Sequence, residues 1–167
     1  FAQGLDGIEG NSGTISSLEF IDQNPIGKSS RSCPVTYVKA FDEIRSLLSG
    51  TTQAKARGLK PSHFSFNVDG GRCETCEGEG VITVGMQFMA DLKLKCENCG
   101  GKRYTDEILE ITWRGKNIHE ILSMTVEDAL LFFAPLEEKV ASSIEKRLIT
   151  KLQPLFDVGL GYITLGQ

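Results

Sequence analysis

Cys73-Glu74-Thr75-Cys76 and Cys96-Glu97-Asn98-Cys99 decide how this chain is read. Nineteen residues separate the two pairs, giving Cys-x2-Cys-x19-Cys-x2-Cys, which falls in the spacing range of tetrahedral four-sulfur metal sites. A two-residue spacer lets one tight turn aim two sulfurs at an ion about 2.3 Å away. Gly78, Gly80, Gly100 and Gly101 stand where backbone amides need to approach the thiolates. The expected occupant is one Zn2+ held by Cys73, Cys76, Cys96 and Cys99. Four protein ligands leave no open coordination position, so its expected role is structural. Thiol redox chemistry normally uses one such pair at a helix start near a βαβ pattern, and here two pairs flank a hairpin. Four thiolates and Zn2+ carry a formal charge of about −2, which Arg72, Lys95, Lys102 and Arg103 are placed to offset.

Outward from the cysteines, Val81 to Val84 and Leu92 to Lys95 read as two strands, with 85–91 as the turn or protruding tip. On the N-terminal side, His63 to Val68 alternates polar and apolar residues as a half-buried strand would, closed by Gly70-Gly71. Before it, Thr51 to Arg57 predicts a short helix stopped by Gly58. Tyr37, Phe41, Ile44 and Leu48 recur at helical spacing, with Gly50 as the stop. Cys33 reads as an inert loop or helix-start residue, since no histidine lies near it in sequence to activate it. Ile15 to Ile21 predicts a short buried strand ended by Asp22-Gln23-Asn24-Pro25. The stretch through Gly13 has no apolar period and reads as loop or poorly ordered chain.

Beyond the second pair, Ile108 to Trp113 looks extended, with Gly115-Lys116-Asn117 as a turn. Thr125-Val126-Glu127-Asp128 approximates a capping box and opens a helix through Phe133. Pro135 is expected to begin the next helix, whose face continues through Ile144, Leu148, Leu152 and Leu155, with Pro154 as an interruption or kink. The fold class expected from this pattern is α+β, a zinc-stapled, zinc-ribbon-like hairpin projecting from a mainly helical body.

Composition narrows the function. The chain has 167 residues, 40% hydrophobic content and a net charge of −4, so no global field draws it onto nucleic acid or an anionic membrane. Any DNA contact must come from a local patch. No apolar run approaches the roughly 18 residues of a membrane span, and Phe1-Ala2-Gln3-Gly4 resembles no signal peptide, so the expectation is a soluble, cytoplasmic protein without a membrane partner. Three motifs fail. Gly27-Lys28-Ser29 imitates a phosphate-binding loop, but Asp22 stands where its first glycine belongs. His119-Glu120 begins like a zinc-protease helix, but Ser123 stands where the second histidine belongs, so His63 and His119 read as surface or half-buried polar residues. Gly78-x-Gly80 lacks the third glycine of a dinucleotide fingerprint.

Ile21-Asp22-Gln23-Asn24-Pro25-Ile26-Gly27, Arg31-Ser32-Cys33-Pro34, Phe64-Ser65-Phe66-Asn67-Val68, Gly70-Gly71-Arg72-Cys73-Glu74, Gly101-Lys102-Arg103-Tyr104 and Asp157-Val158-Gly159-Leu160-Gly161-Tyr162 together resemble the UvrA family, from about Ile15 to Gln167. These are ABC ATPases of bacterial nucleotide excision repair. The resemblance implies an interior segment of that family's second half, unable to hydrolyse ATP alone. It makes Gln23 the Q-loop glutamine that senses ATP and Mg2+, and the partners damaged double-stranded DNA, UvrB and a second UvrA. It also implies a nucleoid-associated place in the bacterial cytoplasm and the SOS response. By this reading 1–35 holds the Q-loop, 36–68 a helical lead, 69–105 the zinc module and 106–167 the run towards the ABC signature.

Lys28, Arg31, Arg72, Lys93, Lys95, Lys102 and Arg103 are the candidate DNA phosphate contacts, which would position without reading bases. Met86, Phe88 and Met89 offer an apolar tip that could probe DNA or pack on protein. The sequence departs from the family's usual pattern at Cys33, where asparagine is common, and at Ala90, where proline is common. Cys73-x-x-Cys76-x-Gly78-x-Gly80 also fits the repeat of DnaJ-like co-chaperones that hold unfolded peptide. That family uses four such repeats and two zinc sites, against the two pairs present here.

Overall fold

Pro34 occupies the first turn of α1 (Pro34–Tyr37), where its missing N–H is no loss, and Cys33 caps it in extended conformation. The computed structural model that shows this describes residues 31–86, 91–135 and 142–166. The expected strand at 15–21 lies outside them. Thr36 Oγ1 accepts the Cys33 amide at 3.0 Å, so Cys33 is the buried helix-start residue its context suggests.

The helix predicted from Tyr37 onward is two helices. Lys39 takes a left-handed φ of 57° and turns the chain before α2 (Phe41–Ser49). Tyr37 is 65% exposed and stands off the core, while Phe41, Ile44, Leu47 and Leu48 form the inner face of α2. The short helix α3 (Thr52–Ala56) forms as expected, with Thr51 Oγ1 accepting the Ala54 amide.

The strand expected over His63 to Val68 is instead a 3-10 turn, Pro61–Phe64, followed by further turns. Pro61 presets φ for a turn, and His63 Nδ1 accepts the Lys60 amide at 2.9 Å. The alternation still has its use. Phe64 and Phe66 are both fully buried, Phe66 stacking on Phe41 with ring centroids 5.1 Å apart and meeting Tyr104 edge-on at 6.4 Å.

The hairpin is as the sequence predicts. β1 (Val81–Val84) pairs antiparallel with β2 (Leu92–Lys95), from Val81 opposite Lys95 to Val84 opposite Leu92. Ile82, Val84, Leu92 and Leu94 share one face and Thr83, Lys93 and Lys95 the other. All of these are exposed, so the hairpin stands away from the core. Of the tip, 87–90 with Phe88, Met89 and Ala90 lie outside the described residues, and Met86 is 43% exposed.

Ile108 and Leu109, expected to be extended, belong to α4 (Asp106–Leu109). Asp106 and Glu107 favour a helix start electrostatically, and Ile108 and Ile111 reach the core three residues apart. The turn lies one residue earlier than predicted. Arg114 and Gly115, with φ of 47° and 77°, join β3 (Thr112–Trp113) to β4 (Lys116–Asn117), and such left-handed pairs match the twist of a tight hairpin. Asn117 and Glu120 form a reciprocal capping box on α5 (Ile118–Leu122).

Thr125 caps α6 (Val126–Phe133) by accepting the Asp128 amide, while its own hydroxyl donates to Asp128 Oδ2. The start of the helix expected at Pro135 falls on 136–141, outside the described residues, and α7 (Ser143–Asp157) starts at its own cap, Ser142. Pro154 lies within the last turn of α7, which runs through it to Asp157. Leu148 and Leu152 of α7, Phe133 of α6 and Leu48 of α2 meet in one core. The segment after α7 ties the body together, with the Val35 amide donating to Leu165 O and the Leu165 amide to Met124 O. The described residues are therefore α+β, a helical body carrying two small antiparallel sheets, one of them the projecting hairpin.

Candidate metal centre

Each cysteine pair sits in a tight knuckle, and the two knuckles are built alike. In the first, the Gly78 amide donates to Cys73 O and the Glu79 amide to Cys76 O, at 3.1 and 2.9 Å. In the second, Gly101 donates to Cys96 O and Lys102 to Cys99 O, at 3.2 and 3.0 Å. Left-handed backbone recurs at matched places, Glu77, Gly78 and Gly80 against Gly100, Gly101 and Arg103. The two also close on each other, since the Cys96 amide donates to Gly80 O and the Cys73 amide to Arg103 O, at 3.0 and 2.9 Å. The result is a pseudo-two-fold clasp at the base of the hairpin.

Inside the clasp all four sulfurs lie within 4.8 Å of one another, with Cys73 and Cys96 Sγ 4.0 Å apart and Cys76 and Cys99 Sγ 3.7 Å apart. A tetrahedral ion with Zn–S bonds of about 2.3 Å requires sulfurs about 3.8 Å apart, so the cage fits one such ion. All four cysteines are buried, and no other such cluster of His, Cys, Asp or Glu occurs among the described residues. The fifth cysteine, Cys33, sits apart as the cap of α1. His63 and His119 are half-buried, as expected, and neither joins the cage.

The thiols differ in their readiness to ionise. Burial raises the Cys73 pKa, but a hydrogen bond from the Asn98 side chain and others from the backbone of Cys76 and Thr75 outweigh it and bring Cys73 down to about 6. Burial pushes Cys76 up to about 12 against the Gly80 amide, which donates to its sulfur at 3.2 Å, and burial also raises Cys99. Asn98 in the second spacer is a contributor the spacing pattern alone did not single out.

The candidate DNA-contact residues divide by what they touch. Arg31 and Arg72 both donate to Glu77 O, Arg31 also lies 3.8 Å from the Glu77 carboxylate, and Arg72 pairs with Asp69 at 2.7 Å. Both arginines therefore brace the first knuckle. Lys93 and Lys95 lie on the polar face of the hairpin, and Lys95 lays its chain over Gly101 of the second knuckle. Lys102 and Arg103 end the second knuckle and face α5. Gln23 and Lys28 lie outside the described residues.

Comparison with known proteins gives one family. UvrABC system protein A of Clostridium perfringens is 54% identical over 92% of this chain, that of Bacillus subtilis 52% over 88%, and that of Aquifex aeolicus 53% over 98%. The crystal structure of UvrA2 from Deinococcus radiodurans superposes with a TM-score of 0.78 at 44% identity over 87% of the chain. The chain belongs to the UvrA family. It spans 15% of the length of the C. perfringens UvrA and 17% of the UvrA2 chain. No family model matches it. Among the described residues no helix is long and apolar enough to cross a membrane.

Proposed function

We propose that this segment of a UvrA-type DNA-repair protein is its zinc-bearing, DNA-contacting element, and that it helps the assembled ATPase detect lesions and load UvrB. The observation that carries the reading is a four-thiol cage fixing the base of an exposed hairpin in a chain of this family. Zn2+ suits four soft thiolate donors and a closed site, and it would supply folding free energy rather than chemistry on a substrate. Lys93 and Lys95 on the hairpin, with Lys102 and Arg103 beside it, would take backbone phosphates, while Arg31 and Arg72 would act by holding the first knuckle. Such contacts suit a sensor of chemically varied damage, which gains more from testing how a duplex bends than from reading base edges. In this reading Gln23 senses ATP and Mg2+ in a UvrA dimer, and no residue of the chain is assigned the hydrolysis.

Binding of the zinc-loaded chain to a labelled duplex, followed by fluorescence anisotropy over a salt series, tests the DNA role. Affinity is expected to fall steeply with salt, and no binding at low salt would overturn it. Metal analysis tests the DnaJ-like alternative, since one zinc per chain matches the single cage found among the described residues and two would revive the co-chaperone. Replacing the metal with Co2+ is expected to give the absorption of a tetrahedral tetrathiolate complex, lost as pH falls because the ligands must be deprotonated.

A further inference from the structure

Between the second knuckle and α5 lies a cleft of about 260 Å3 lined by Lys102, Arg103, His119, Ser123 and Thr164, with no carboxylate in its wall. Two observations single out Arg103. Among the described residues, each of the other six arginines lies within ion-pair distance of a carboxylate, namely Arg31, Arg45, Arg57, Arg72, Arg114 and Arg147. Arg103 has no such pair and rests its guanidinium over the Phe66 ring, 5.3 Å from the centroid. Its backbone is also left-handed, with φ of 73°, at the position whose pseudo-two-fold mate is Gly80. A non-glycine residue there costs about 1 kcal/mol, so the chain keeps a side chain where local geometry prefers none.

We propose that this cleft is a phosphate site, with Lys102, Arg103 and His119 as its ligands, and that it seats one backbone phosphate of duplex DNA. Three N–H-bearing groups in a wall without carboxylates are the chemistry that recognises a phosphate oxyanion, while the Ser123 hydroxyl, which donates to His119 O at 2.8 Å, ties the wall to α5. The surrounding charges agree. Burial and then Lys102, Arg103 and Lys95 hold His119 below its usual pKa, against Glu120, whose carboxylate accepts the Asn117 amide and lies 4.0 Å from Lys116. An anion in the cleft reverses that pressure. The source of the phosphate rests on the DNA reading given above; the site itself does not.

Arg103→Gly tests the site because glycine relaxes at this φ, which offsets the lost contact with Phe66, and a thermal melt of the variant checks that the fold is kept. The zinc-loaded 167-residue chain is compared with this variant and with Arg57→Ala, which removes an equal charge outside the cleft. Duplex affinity is expected to fall about tenfold for Arg103→Gly, with the salt slope lowered by about 1, and less for Arg57→Ala. The chain has two histidines, so ring-proton NMR separates them. Inorganic phosphate is expected to raise the His119 pKa in the parent and leave it in place in Arg103→Gly, with His63 as the internal control. If the parent binds duplex and Arg103→Gly matches its affinity and slope, the cleft proposal is overturned and the DNA reading stands. If duplex does not bind but phosphate moves His119 only in the parent, the phosphate site stands and DNA is the wrong source. If neither ligand responds to Arg103→Gly, the site is refuted.

Discussion

Glu43 on α2 accepts from Arg147 at 3.0 Å and from Lys151 at 2.9 Å, both on α7, and these partners, Arg147 first, hold its carboxyl below the usual range. A lowered folded-state pKa stabilises the protein above the unfolded carboxylate pKa of about 4.3 and loses that contribution as pH falls through the folded value. Glu43→Gln is therefore expected to cost about 1 kcal/mol near neutral pH, a figure kept small because Arg147 is half exposed. The deficit should shrink towards zero in acid. Thermal melts of both forms across the acid range check this, and a constant deficit would mean that packing rather than charge links the two helices. No sequence pattern announces this pair, since 104 residues separate Glu43 from Arg147.

At the scale of the element, the first knuckle depends on its approach to the turn below it. A Cβ on Gly78 would collide with the carbonyl oxygen of Phe66, in a backbone with φ of 81° that already disfavours a side chain. Gly78→Ala is expected to destabilise the module by about 2 kcal/mol or more and to weaken metal retention, measured by competition with a chromophoric chelator. Unchanged retention would show that the knuckle can move off Phe66. Here the sequence was most legible. The cysteine spacing, both strands of the hairpin and the Thr125 cap follow from local chemistry that needs no distant partner. The 3-10 turn at Pro61–Phe64 and the helix at Asp106–Leu109 did not, because each uses the same apolar residues as a strand would and is decided by a proline or an acidic start. The clasp's pseudo-symmetry was hidden because Arg103 stands where its mate is glycine.

For the whole molecule, Arg114 is the fastener between hairpin β3–β4 and helices α6 and α7. Its guanidinium lies over Trp113 at 4.3 Å, donates to Phe132 O and Ala134 O at the end of α6, and pairs at 2.5 Å with Glu145, which is 5% exposed. Arg114→Ala leaves that buried carboxylate without its cation and is expected to cost about 3 kcal/mol in chemical denaturation. Adding Glu145→Gln should restore part of the loss, and no recovery in the double variant would place the effect in the turn instead. An arginine in a surface turn reads as solvated in sequence, and the return of α6 and α7 gives it its carbonyl and carboxylate partners.

The clasp has a consequence for how such an arm can vary. The thiol cage, knuckles and cross-links are all complete before Val81 and after Lys95, and the strands leave the clasp already in register. Adding two residues to each strand would extend the reach by about 7 Å while leaving every cage contact in place. The clasp is thus a socket of fixed gauge, and the hairpin a fitting whose length and tip can change on their own.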